Sequence, residues 1–365
     1  MLKEEQKMAE EVKTEKVKKV SKWEQFQALS AKDKKSHIAD ALLNNAMFII
    51  IAIVIIYIAI REPKFLSMAS IINIINLTAA KLPIALGVGG CIILAGTDIS
   101  AGRQVGLAAC IAAGLQLTTN KLFPGMAVQP VIVALLAVIV VGAAIGFVNG
   151  FFTAKFKVHP FIVTLSTQLI VYGLILMFMQ LGTNGGQTLS GMSDSYRNFI
   201  TGTLFKVGTT AVPRYVLYSI IVTAIVWVIW NKTAFGKNMF AVGSNEDAAN
   251  VSGVNVMKTI ILVFIMAGIL YAITGFIDAA RVASVNATTG LNYESDAIAA
   301  CVIGGISFVG GIGKVSGAII GVLLLQIIFV GLNFLSVDAN LLYIVKGLII
   351  LVACCIDMRK YLVRK

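Results

Sequence analysis

The feature that most constrains this chain is a succession of apolar runs long enough to cross a bilayer, parted by short polar stretches. They cover 41–60, 71–95, 105–117, 128–152, 161–181, 215–230, 259–277, 297–313, 315–335 and 341–356. A helix needs about 20 apolar residues to span the hydrocarbon layer, where no water satisfies an open backbone group. The expected fold is therefore an all-α integral membrane protein with about ten transmembrane helices. Two of these expectations are loose: 297–313 is broken by glycines and could re-enter rather than cross, and 71–95 carries Pro83 with Gly87, Gly89 and Gly90, the marks of a bent, closely packed helix. With 58% hydrophobic and 13% charged residues, a soluble globular fold is excluded.

Charge sets the expected topology. A net charge of +12 in a soluble protein would point to nucleic acid, but here Lys155, Lys157, Lys232, Lys237, Lys258, Arg359 and Lys360 flank apolar runs. That is the pattern of cytoplasmic loops in contact with membrane lipid, so no nucleic-acid partner is expected and both termini are expected in the cytoplasm. Residues 1–40, with ten lysines and eight acidic residues, read as a charged tail with a surface helix near Ser21 and Glu24, or as a solvated segment without structure. Residues 41–365 form the transmembrane domain, with a polar cytoplasmic loop at 232–258. On this topology 71–181 and 259–356 enter the membrane in opposite senses, the arrangement of an inverted repeat.

The longest polar interruption between the central spans, 235–258, reads as one short helix. Ser244 and Asp247 have capping-box spacing, Glu246 and Asp247 suit the positive end of the helix dipole, and Gly253 offers a stop. Ala248, Ala249 and Val251 form a small-residue stripe, so a helix of about two turns, roughly 12 Å, would present a shallow knob from Asn245 through Ser252 to Gly253. The pattern suits docking into a partner's groove, and equally an amphipathic connector on the membrane surface.

Two patches place charge between spans: Thr97, Asp98, Ser100, Arg103 and Gln104, then Asn292, Tyr293, Glu294 and Asp296. A charge in mid-membrane costs roughly 2.5–3.5 kcal/mol, so these groups should face a cavity or pair internally, Asp98 with Arg103 for example. Taken one at a time they could be helix caps; taken together they suggest a translocation path. Asn149 and Asn333 are further path candidates within spans, able to bond either a solute or a neighbouring helix. Asp278 and Arg281 have the spacing of an intrahelical pair. Gly142, Gly146 and Gly150 repeat every four residues, the spacing that lets membrane helices approach.

Enzyme chemistry has no foothold. The glycines at 304–313 before Lys314 superficially resemble a phosphate loop, but Phe308 and Val315 occupy required positions. The five cysteines lie in apolar runs without metal-ligand spacing, and two histidines make no cluster, so neither metal nor cofactor is expected.

The runs GTDISAGRQVGLAA at 96–109, WNKTAFGKN at 230–238, AANVSGVNV at 248–256, YESDAIAACVIGG at 293–305 and IVKGLII at 344–350 resemble the monosaccharide permeases of bacterial ABC importers. The first run favours the galactose/methyl-galactoside branch over the ribose branch. The charged extension and Ser295, where the family usually has Leu, depart from the pattern. The resemblance implies a type II ABC importer-like fold that pairs with a second copy of itself. It also implies an extracytoplasmic sugar-binding protein that delivers galactose or methyl galactoside, a separate ATPase with two nucleotide-binding halves, and a coupling helix at Asn245–Gly253. The alternative is a secondary transporter for a small polar solute, working alone.

Overall fold

The computed structural model describes residues 46–119, 121–182 and 184–362. The charged tail and its expected surface helix lie outside the described residues. Two compact units are distinguished, Met1–Ile49 and Ile50–Lys365; of the first, only the opening turn of helix α1 is described.

The described residues form an all-α membrane protein with thirteen α-helices, one 3₁₀ turn (Pro63–Leu66) and two small β-ribbons. The helices are α1 (Ala46–Arg61), α2 (Met68–Ile93), α3 (Ala101–Gln116), α4 (Val131–Phe156), α5 (Pro160–Met179), α6 (Asp194–Thr201) and α7 (Arg214–Lys232). They continue with α8 (Ala234–Ser244), α9 (Glu246–Val251), α10 (Val256–Val282), α11 (Tyr293–Ile303), α12 (Val315–Phe334) and α13 (Ala339–Leu362). Each of the ten apolar runs carries a helix. Six of them, α2, α4, α5, α7, α10 and α12, are long and apolar enough on their own to cross a membrane. The run at 297–313 differs from expectation: α11 starts earlier and stops at Gly304, because Gly305, Gly310 and Gly311 take left-handed backbone angles that end a helix.

Helix α10 is the centre of the packing, enclosed by α4, α3 and α2. The four-residue glycine repeat of α4 lies on it as expected. A Cβ on Gly142 or Gly146 would overlap the carbonyl oxygen of Gly268 or Phe264, and one on Gly150 would stand 2.7 Å from the Cα of Ile261. Without side chains between them the two backbones touch, and dispersion over that contact replaces the hydrophobic drive that lipid removes. Large apolar side chains such as Val140, Leu169 and Met177 face outward, as a lipid-bathed surface requires.

The long polar segment after α5 is more ordered than its composition indicates. Ser193 caps α6, strands β2 (Thr203–Val207) and β3 (Thr210–Pro213) form a hairpin, and β1 (Leu189–Ser190) pairs with β4 (Ser284–Val285). Tyr196 anchors this cover by donating its hydroxyl hydrogen bond to the Phe276 carbonyl of α10. Burial pushes its phenol well above the ordinary value, so it remains a neutral donor.

Candidate functional site

The stretch expected to be one helix is two, joined by an elbow at Asn245. Thr233 opens α8 by accepting from the Gly236 amide. Ser244 is the last residue of α8 and bonds the Phe240 carbonyl, so it does not cap the next helix; Asn245 does, its Oδ1 accepting from the Ala248 amide at 2.8 Å. Six residues make α9 about 9 Å long at 1.5 Å per residue, shorter than the expected two turns. Its end has the paired bonds of a glycine stop, Gly253 N–H to the Asn250 carbonyl and Val254 N–H to the Ala249 carbonyl, both 3.0 Å, with Gly253 at φ +83°.

The small-residue stripe is split, which corrects the expected knob. Ala249 is 4% exposed and faces the fold, whereas Val251 is 90% exposed. Glu246, Asp247, Ala248, Asn250, Val251 and Ser252 form the outward face. Beside it runs an open groove of about 490 Å³, lined by Ala154, Lys157, Glu246, Asp247, Asn250 and Asn255.

The break between α2 and α3 holds a buried polar network. Ser100 gives both its amide and its hydroxyl hydrogen to Asp98 Oδ1, while its Oγ accepts from Gln104 at 2.8 Å and from Asn149 at 3.1 Å. Asn149 Oδ1 in turn accepts from Thr167 at 2.6 Å. Thr164 donates to the Thr97 carbonyl and accepts from the Ile99 amide. Four elements, α3, α4, α5 and the break itself, are thereby stitched together. The expected Asp98–Arg103 pair is absent. Asp98 precedes α3 and is occupied by Ser100, while Arg103, a turn further on, bonds the Ala287 carbonyl at 3.0 Å and stacks over Tyr172.

The two polar patches, remote in sequence, meet. A Cβ on Gly102 would overlap both Glu294 Oε2 and the Gly290 carbonyl, and one on Gly106 the Thr289 carbonyl. Arg103, Glu294 and the turn at Gly290 and Asn292 (φ +81° and +63°) thus share one junction. Asn333 is exposed on the last turn of α12 and belongs to neither buried assembly.

A second charged assembly was only half expected. Asp278 pairs with Arg281 at 2.8 Å, as their spacing predicts, and also with Lys81 of α2 at 3.3 Å. Lys81 lies over the Tyr293 ring, and Asp296 pairs with Lys346 of α13 at 2.9 Å. A lysine within an apolar run was the available signal for Lys81, since an intramembrane charge requires a partner.

A family model described as branched-chain amino acid transport system / permease component matches residues 70–354. The galactose/methyl galactoside import permease of Haemophilus influenzae is 42% identical over 335 residues, 91% of this chain and 99% of that protein. Its counterpart in Escherichia coli K12 is 41% identical over 92% of this chain and 100% of that protein. The ribose import permease of Bacillus subtilis is 33% identical over 91% and 98%. No solved structure matches significantly. With the family model spanning most of the described bundle and relatives matching nearly end to end, the chain belongs to the branched-chain amino acid transport system / permease component family.

Proposed function

We propose that this chain is the permease subunit of an ATP-driven importer that passes galactose or methyl galactoside across the bacterial cytoplasmic membrane. The observation that carries the reading is near-complete alignment at 41–42% identity with galactoside permeases, against 33% with a ribose permease. It needs an ATPase with two nucleotide-binding halves, an extracytoplasmic sugar-binding protein and a second copy of itself. The basic residues at span edges support a cytoplasmic position for the α8–α9 elbow and for both termini.

The outward face of α9 docks on the ATPase, with Glu246, Asp247 and Val251 as its contacts and Ala249 as the hinge-side anchor. ATP binding favours one arrangement of the dimer and hydrolysis releases it. Packing favours an inverted repeat: α10 lies on α4 as α2 lies on α12, and the two polar patches sit at equivalent places around the starts of α3 and α11. A neutral sugar needs hydroxyl and amide partners rather than a buried counter-charge, so the Asp98 and Asp278 assemblies serve as fixed walls of the path.

Reconstitution tests this. With its ATPase and binding protein the chain should show galactose-stimulated ATP hydrolysis and uptake, and Val251→Arg should abolish co-purification of the ATPase without preventing insertion. Uptake that continues without ATP but collapses with the ion gradient would make it a secondary transporter instead.

A further inference from the structure

Three separate segments meet backbone to backbone at one point beneath the elbow. Gly243, buried and next to last in α8, stands where any Cβ would overlap the carbonyl oxygen of Ile93, the last residue of α2. The same Cβ would lie 2.9 Å from the Gly311 amide nitrogen. That amide donates to the same Ile93 carbonyl at 2.8 Å. A Cβ on Gly310 would overlap the Gly243 carbonyl and stand 2.8 Å from Ala95 Cβ; one on Gly311 would overlap Ser244 Oγ. Gly310 and Gly311 take φ +89° and +68°, so a side chain there is strained as well as crowded.

We propose that Gly243, Gly310 and Gly311 form a backbone joint that carries movement of the elbow to both broken segments at once. The inference rests on the docking of α9 proposed above, and adds the route by which its motion enters the bundle. One arm of the joint is the break 94–100, which carries Asp98 and its network. The other is loop 304–314, which connects α11 to α12. Gly243, Ile93 and Gly311 meet through backbone atoms alone, so at that contact no rotamer absorbs a shift: a displacement of the elbow must move the Ile93 carbonyl and the Gly311 amide or break their hydrogen bond. Packed contacts of this kind have discrete arrangements rather than continuous give. Gly173 in α5 is the contrast: it would accept a Cβ with nothing within 4 Å.

The test uses the full chain assembled with its ATPase and binding protein in proteoliposomes, with radiolabelled galactose as the probe. Gly243→Ala should keep the ATPase bound and hydrolysing while uptake falls at least tenfold; Gly173→Ala should leave uptake unchanged. Gly243→Ala transporting at the unmodified rate overturns the joint. Should that variant fail to insert, hydrogen exchange on the unmodified complex decides. Adding ATP should change exchange of the Gly311 amide together with α9; an unaltered Gly311 amide beside a responsive α9 overturns the joint. An α9 that gains no protection when the ATPase is added overturns the docking reading, and the joint with it.

Discussion

Asp278 illustrates what each charge inside this protein requires. Its carboxylate is 1% exposed and tolerable there because Arg281 and Lys81 both reach it. Replacing Asp278 with Asn leaves two cations facing each other in low dielectric, and losing one partner of a buried ion assembly costs about 3–5 kcal/mol. Thermal unfolding of the detergent-solubilised protein should report that loss, and Asp278→Asn combined with Lys81→Met should recover part of it; equal loss in both variants would mean the ion assembly is not what the substitution disturbs. The Arg281 half of this assembly was legible, since residues three apart share a helix face. Lys81 lies 197 positions away, and only tertiary packing could select it. The Asp98 network divides the same way: its bonds to Ser100 are local, whereas Asn149 and Thr167 arrive on other helices.

Among the elements, α4 and α10 show the closest agreement between pattern and packing. Gly146→Val would drive its Cβ into the Phe264 carbonyl. Overpacking typically costs about 1–3 kcal/mol, and a backbone contact with nowhere to retreat belongs at or above the top of that range. Lower unfolding temperature and loss of monodisperse protein on size exclusion are expected, with Gly173→Val in α5 as the tolerated control. The elbow was legible as a helix but misread in register. Ser and Asn are both good caps, and the choice fell to Asn245 because α8, whose Met239 and Val242 are buried, continues through Ser244. One residue of shift turns Ala249 inward, so a bulky charge there would unseat α9 itself, whereas one at Val251 leaves it folded.

Over the whole molecule, the arrangement predicts where chemistry can reach. Cys91, Cys110 and Cys301 are buried and Cys355 is exposed. A maleimide applied to the folded protein in detergent should therefore label Cys355 and leave those three until unfolding, as mass spectrometry of labelled peptides can count; early labelling of Cys110 or Cys301 would contradict the packing of α3 and α11. The apolar runs by themselves determined the class of fold and the place of the six helices long and apolar enough to span, because the bilayer forces every backbone polar group into a helix wherever the residues are greasy enough. The spacing of Gly142, Gly146 and Gly150 also determined a close helix contact, because small residues four apart fall on one face. Which helix answers that contact, which way α9 faces, how the patches around the starts of α3 and α11 meet, and why Gly243 must be glycine were decided only by the tertiary structure. Those outcomes depend on atoms brought together from distant positions, and no local periodicity encodes the partner on the other side.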